Sequence, residues 1–238
     1  MALAAVAAFA GAAVQSATGF GFALVLSPAL FAVMDPVEAV TALLVLGLAL
    51  NLLVLFEGGR PEHVDWRALA PMLVAAVPGL ALGAVALTEL SKEVLQVAVG
   101  VAVIAAAGWQ LLAPHPRLSP AATWVAGFAS GALTTSISVS GPPLVLWLTA
   151  RGVRPEEFRA SLAASFLALN LAGGIVLLAV EGGGAFDGAA IAVLLALVLA
   201  GYALGALAFR RIDRHRFFKF VLILVALTGA ASVVAGLA

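Results

Sequence analysis

Thr134-Thr-Ser-Ile-Ser-Val-Ser-Gly-Pro-Pro143 sets five hydroxyls, a glycine and two prolines inside an otherwise apolar segment. A shift of 119 residues lays Gln15-Ser-Ala-Thr-Gly-Phe-Gly-Phe22 on residues 134–141, Pro36 on Pro155, Glu38 on Glu157 and Asn51 on Asn170. The chain is therefore an internal duplication. Helix-breaking polar residues at equivalent points of two apolar segments leave backbone groups unpaired. At membrane depth such groups are tolerated only where protein covers them or they line a cavity. The two breaks are expected to face one binding site.

Working outward, 64% of residues are hydrophobic, 10% are charged and the mean hydropathy is +1.17. Soluble domains carry about 25% charged residues, so this chain belongs in a bilayer. Its formal net charge of zero gives no reason to expect a nucleic-acid partner. There is no cysteine, hence no disulfide, thiolate metal site or iron–sulfur cluster. His63, His115 and His215 fall in polar connections, which leaves no intramembrane histidine for haem or metal, and no cofactor is expected. The N-terminal apolar stretch lacks the basic start of a signal peptide and aligns with an internal segment, so it is expected to remain in the mature chain.

A span needs about 20 apolar residues. Six segments qualify, at residues 37–56, 68–87, 94–112, 158–180, 188–209 and 217–237. Residues 2–33 and 123–150 are the interrupted ones, and each half of about 14 residues reaches only about 21 Å. Read as re-entrant hairpins, they put eleven of the twelve Lys and Arg residues on one face, with only Lys92 opposite. Read as crossings, the split weakens to nine against three. The positive-inside rule favours hairpins.

The expected fold is then an all-α polytopic membrane protein of two inverted-topology repeats, each a broken, re-entrant helical hairpin plus three transmembrane helices. The repeats occupy residues 1–113 and 123–238, with a linker at 114–122, in one membrane domain with both termini outside. Equivalent loops differ in charge as inversion requires: Met34-Asp-Pro36 is acidic and Val153-Arg-Pro155 basic. Gly79-x-x-x-Gly83 and Gly201-x-x-x-Gly205 recur at similar places in the two halves, and are expected to pack repeat on repeat or subunit on subunit in a homodimer. Trp66, Trp109 and Trp124 read as interfacial anchors, and Pro71 and Pro78 as kinks.

No ionisable residue lies near the middle of any span. A serine protease would need a base for Ser138 or Ser140 and an aspartyl protease two carboxylates, so the chain is not expected to be an enzyme. What remains is polar and neutral: Gln15, Ser16, Thr18, Gly19 and Gly21 in the first break; Thr135, Ser136, Ser138, Ser140, Gly141 and Pro142 in the second; and the matched Asn51 and Asn170. Singly, such groups bond back to their own helix or across to another. Placed symmetrically beside two helix N-termini, starting near Gly19–Gly21 and Pro142, they form a site for a small anion without a fixed cation.

The Gly-rich break Thr18-Gly-Phe-Gly-Phe22, the Ser-Gly-Pro-Pro-Leu break at 140–144 and the loop Arg151-Gly-Val-Arg-Pro-Glu-Glu157 resemble the sulfite exporter TauE/SafE family over essentially the whole chain. That resemblance implies transport of sulfite, thiosulfate or organosulfonates across the bacterial inner membrane. Phe20 and Phe22 stand where the family has a run of glycines, which is expected to narrow or reshape the pocket. A passive anion channel and a non-transporting membrane scaffold are the alternatives.

Overall fold

The protein was studied as a computed structural model, which describes residues 2–57, 64–112, 120–181 and 188–209, with isolated positions beyond 229. These form α1 (Ala2–Thr18), α2 (Phe22–Val33), α3 (Pro36–Phe56), α4 (Trp66–Glu89), α5 (Lys92–Leu112), α6 (Pro120–Ile137), α7 (Gly141–Ala150), α8 (Pro155–Glu181) and α9 (Gly188–Phe209). There is no strand among the described residues. Both expected breaks are present, at residues 19–21 and 138–140. The expected span at 217–237 and the basic cluster at 210–219 lie largely outside the described residues, as do all three histidines.

Local chemistry sets the helix ends. Pro36 begins α3 with its ring pre-set for the first turn, and Glu38 follows at the positive end of the helix dipole. Asp65 caps α4 by accepting from the Ala68 N–H at 3.2 Å. α4 runs through both Pro71 and Pro78 as one helix of 24 residues.

Among the described residues four helices, Pro36–Phe56, Trp66–Glu89, Glu157–Val180 and Gly188–Leu207, are long and apolar enough to cross a membrane. Their outer faces carry exposed Val74, Val77, Ile175, Leu178, Val193 and Leu207, while Gln15, Asn51, Thr134 and Thr135 are buried. Apolar groups outside and polar groups inside are what a lipid solvent selects. Trp66 and Trp124 stay about half exposed near helix starts, in line with interfacial anchoring. Trp147 is buried, donates from Nε1 to Thr123 Oγ1 at 2.9 Å and carries the Arg151 guanidinium 5.0 Å above its ring.

Close backbone approach orders the bundle. A side chain at Gly79 would collide with the Phe128 carbonyl, one at Gly83 with the Ala132 carbonyl, and reciprocally Gly127 and Gly131 accommodate the carbonyls of Met72 and Ala76. α4 and α6 therefore run parallel, glycine against backbone. In α9, Gly201 and Gly205 meet the carbonyls of Phe9 and Ala13 in α1. The 119-residue shift carries Gly127 and Gly131 onto Ala8 and Ala12, both fully buried, so small residues recur on the equivalent face. Both Gly-x-x-x-Gly faces thus join one half of the chain to the other, as small-residue stripes do in lipid.

α3 and α8 run antiparallel: Leu44 lies by Gly173, Gly47 by Asn170, and Glu57 by Arg159. The Arg151–Asp65 ion pair (3.1 Å) and the Trp147–Thr123 bond place both ends of α6–α7 beside the start of α4. Its tip at Ser138 approaches Val40, near the start of α3. The tip of α1–α2 at Gly19 instead touches Arg159, in the first turns of α8, whose ion-pair partner Glu57 caps the end of α3. The two hairpins come from opposite ends of the α3–α8 pair, and Ser27 Oγ in α2 ties them together by donating to the Ile137 carbonyl at 2.9 Å.

Candidate functional site

Where the two breaks meet the middle of α3 and α8 lies a partly open cavity of about 40 Å³, room for a few water molecules. Of the residues singled out in the sequence, Gln15, Gly21, Asn51, Ser138, Ser140, Gly141 and Asn170 line it. None of the described residues that line it is ionisable.

The backbone turns sharply at each break. Gly19 has φ +86°, and the residue matched to it by the duplication, Ser138, has φ +57°. A left-handed serine is strained by roughly 1 kcal/mol and persists only where its surroundings hold it. Ser138 Oγ does so locally, 3.3 Å from the Thr134 carbonyl and 3.5 Å from that of Val40. Gly21, at φ +108°, precedes α2 as its N-cap, and a Cβ there would lie 2.8 Å from Val14 Cγ1. Gly21→Ala is therefore expected to lower stability by about 1–3 kcal/mol, read as a lower melting temperature of the purified protein.

The two helix starts differ in what they offer. At α2, the Phe22 N–H donates to Gln15 Oε1 at 3.3 Å, so an amide oxygen already occupies the position an anion oxygen would take. Gln15 Nε2 donates to Asn51 Oδ1 at 2.7 Å, and Asn51 Nδ2 to the Gly47 carbonyl at 2.7 Å. At α7, Ser140 is the N-cap but makes no cap bond, and Pro142 and Pro143 remove two donors from the first turn, leaving the Gly141 N–H beside the cavity. Ala23 and Leu24, also in the cavity wall, sit in the first turn of α2, where backbone donors have no intrahelical partner.

The asparagines converge but are not equivalent. A Cβ built at Gly47 would sit 2.5 Å from Asn170 Nδ2 and 3.9 Å from Asn51 Nδ2, so this glycine is what lets both amides approach. The duplication places Thr134 where Gln15 stands in the first half. Thr134 Oγ1 turns back to the Ser130 carbonyl at 2.6 Å, too short to reach across as glutamine does. Asn170 thus faces the cavity without the amide partner that holds Asn51.

Other expected residues lie in the wall behind. Ser16 Oγ donates to the Ala13 carbonyl at 3.2 Å, Ser136 Oγ to Ala132 at 2.7 Å and Thr135 Oγ1 to Leu80 of α4 at 2.7 Å. Thr18 Oγ1 lies 2.7 Å from the Phe20 carbonyl and braces the turn. Gly19 packs on Arg159, and Pro142 supports the start of α7 without reaching the cavity wall. Phe20 and Phe22 both line the cavity. Gly47 and Phe166 line it too; a glycine and a phenylalanine in apolar spans carried no signal in the sequence, although the duplication matches them to each other.

The arrangement gathers neutral donors, two helix starts and apolar walls around a small, partly open space, which suits an anion that must be held and released. The profile of the sulfite exporter TauE/SafE family matches residues 3–232. Over 164 residues the chain is 29% identical to a protein of Cupriavidus necator named "Probable sulfite/organosulfonate exporter TauE", an alignment spanning 66% of this chain and 64% of that relative. No solved structure matches it. With the family profile covering nearly the whole of a helical, lipid-adapted chain, this protein belongs to the sulfite exporter TauE/SafE family, a family of membrane transporters.

Proposed function

We propose that this protein carries a small sulfur oxyanion or organosulfonate across the bacterial inner membrane, by alternating exposure of the cavity between α2, α3, α7 and α8. Residues 1–113 and 123–238 act as inverted repeats joined by the linker 114–122, rocking against each other with both termini on the periplasmic side. The observation that carries this reading is the cavity itself, partly open, lined by neutral polar side chains and free of ionisable groups among the described residues. Its anion shell consists of Asn170 Nδ2, Ser140 Oγ and the N–H groups of Gly141, Ala23 and Leu24. Hydrogen bonds to a charged partner contribute about 1.5–3 kcal/mol each, before the cost of removing the anion from water. Such a shell binds loosely enough to let its load go.

The purified protein in liposomes is expected to take up radiolabelled sulfite, with uptake suppressed by excess organosulfonate and not by equal chloride. Absence of flux for every sulfur anion tested, from protein shown to be folded, would falsify this proposal. Uptake that fails to saturate and ignores an imposed proton gradient would replace the carrier with a passive channel.

A further inference from the structure

The two hairpin tips differ in one respect that the duplication does not require. Arg159 and Glu57 flank the tip of α1–α2, whereas the 119-residue shift matches them to Val40 and Val176. The same helix arrangement is therefore built at the other end without an ion pair. Arg159 Nη2 donates both to the Ser16 carbonyl, in the last turn of α1, at 2.7 Å and to Glu57 Oε2 at 2.8 Å. Its Nε is buried and has no hydrogen-bond partner. Glu57 thus engages the guanidinium at a single nitrogen, although the fork of Arg matches two oxygens of one group. The Arg159 stem packs on Gly19, and the next two residues, Phe20 and Gly21, are already cavity wall.

We propose that Arg159 is a second, outer station for the transported oxyanion, at the mouth beside the α1–α2 tip, with Glu57 as its resident competitor. This rests on the transporter reading of the central cavity. An anion with two equivalent oxygens spans Nε and Nη2 and displaces Glu57, satisfying the donor that the carboxylate leaves unmet. A halide has no such pair of oxygens and gains nothing from the fork. The station supplies the positive charge that the inner cavity lacks, and the competing carboxylate keeps it from becoming a trap. Because Arg159 also holds the end of α1, exchange of Glu57 for the anion acts directly on the segment that closes the cavity.

The test compares Glu57→Gln and Arg159→Gln in the full-length protein, reconstituted in liposomes with radiolabelled sulfite as the probe. Glu57→Gln removes the competitor and is expected to lower KM by about threefold, while Arg159→Gln is expected to raise it by about tenfold, the scale of one charge-assisted contact. Arg159→Lys, which keeps the charge without the fork, is expected to fall between wild type and Arg159→Gln. Both glutamine variants shifting the same way would show the pair to be a structural brace, and neither shifting would remove Arg159 from the path. Either result overturns the outer station while leaving the central site in place. If the wild-type protein takes up no sulfite, both proposals fall together.

Discussion

Asn170→Leu is expected to cut sulfite uptake by about tenfold to a hundredfold while leaving the protein folded and its yield unchanged. Leucine branches at Cγ as asparagine does and suits an apolar bundle, so the helix is expected to keep its place against α3. What disappears is the Asn170 amide in the cavity wall, and losing one hydrogen bond to a charged group costs about 1.5–3 kcal/mol. Asn51→Leu is expected to behave differently. There the amide is engaged by Gln15 at 2.7 Å and by the Gly47 carbonyl at 2.7 Å, and its removal orphans the buried Gln15 Nε2. The matched variant should therefore lose melting temperature as well as transport. Initial uptake rates combined with thermal melts of both proteins separate the two roles. Wild-type uptake by folded Asn170→Leu would remove this residue from the site.

Gly83→Val is expected to abolish accumulation of folded protein. Its Cβ would collide with the Ala132 carbonyl and with Thr135 Oγ1, and a backbone carbonyl inside a packed helix cannot swing aside. Overpacking typically costs about 1–3 kcal/mol where neighbours can relax; here α4 and α6 would have to separate along their shared face. Gly174→Ala serves as the control. Nothing lies within 4 Å of a Cβ at that position in α8, and replacing an unconstrained helical glycine by alanine is favourable by about 0.5–1 kcal/mol. Size-exclusion profiles of the solubilised variants distinguish a collapsed peak for Gly83→Val from a sharp, unshifted one for Gly174→Ala. A monodisperse, thermally unaltered Gly83→Val would show that the α4–α6 contact is looser than described.

Much of the architecture is legible in the sequence. Apolar runs of the right length marked α3, α4, α5, α8 and α9, and the breaks at residues 19–21 and 138–140 fall at, or just before, the glycines and prolines that interrupt the two remaining apolar segments. The helix starts were one residue off or less at α7, because Pro142 needs a residue before it to open the turn. The Gly-x-x-x-Gly faces were visible as stripes, but which element would cover them was not. Gly79 and Gly83 recognise α6 only because two helices far apart in sequence are brought parallel, a consequence of long-range packing that no local pattern encodes.

The candidate site divides along the same line. Composition and duplication by themselves determined that the chain lies in lipid, that two equivalent segments break, and that only neutral polar groups are available between them. Those properties follow from transfer free energies and backbone sterics, which act residue by residue. The tertiary structure alone decided which of these groups face the cavity. A serine or threonine hydroxyl in a helix can reach its own carbonyl four residues back, a neighbouring helix or an open space. Ser136 took the first, Thr135 the second, and Ser140 was left at the cavity. Equally, Gln15 is long enough to hold Asn51 whereas Thr134 cannot reach Asn170, and that difference in reach becomes a difference in role only once α1, α3, α6 and α8 are packed around one point.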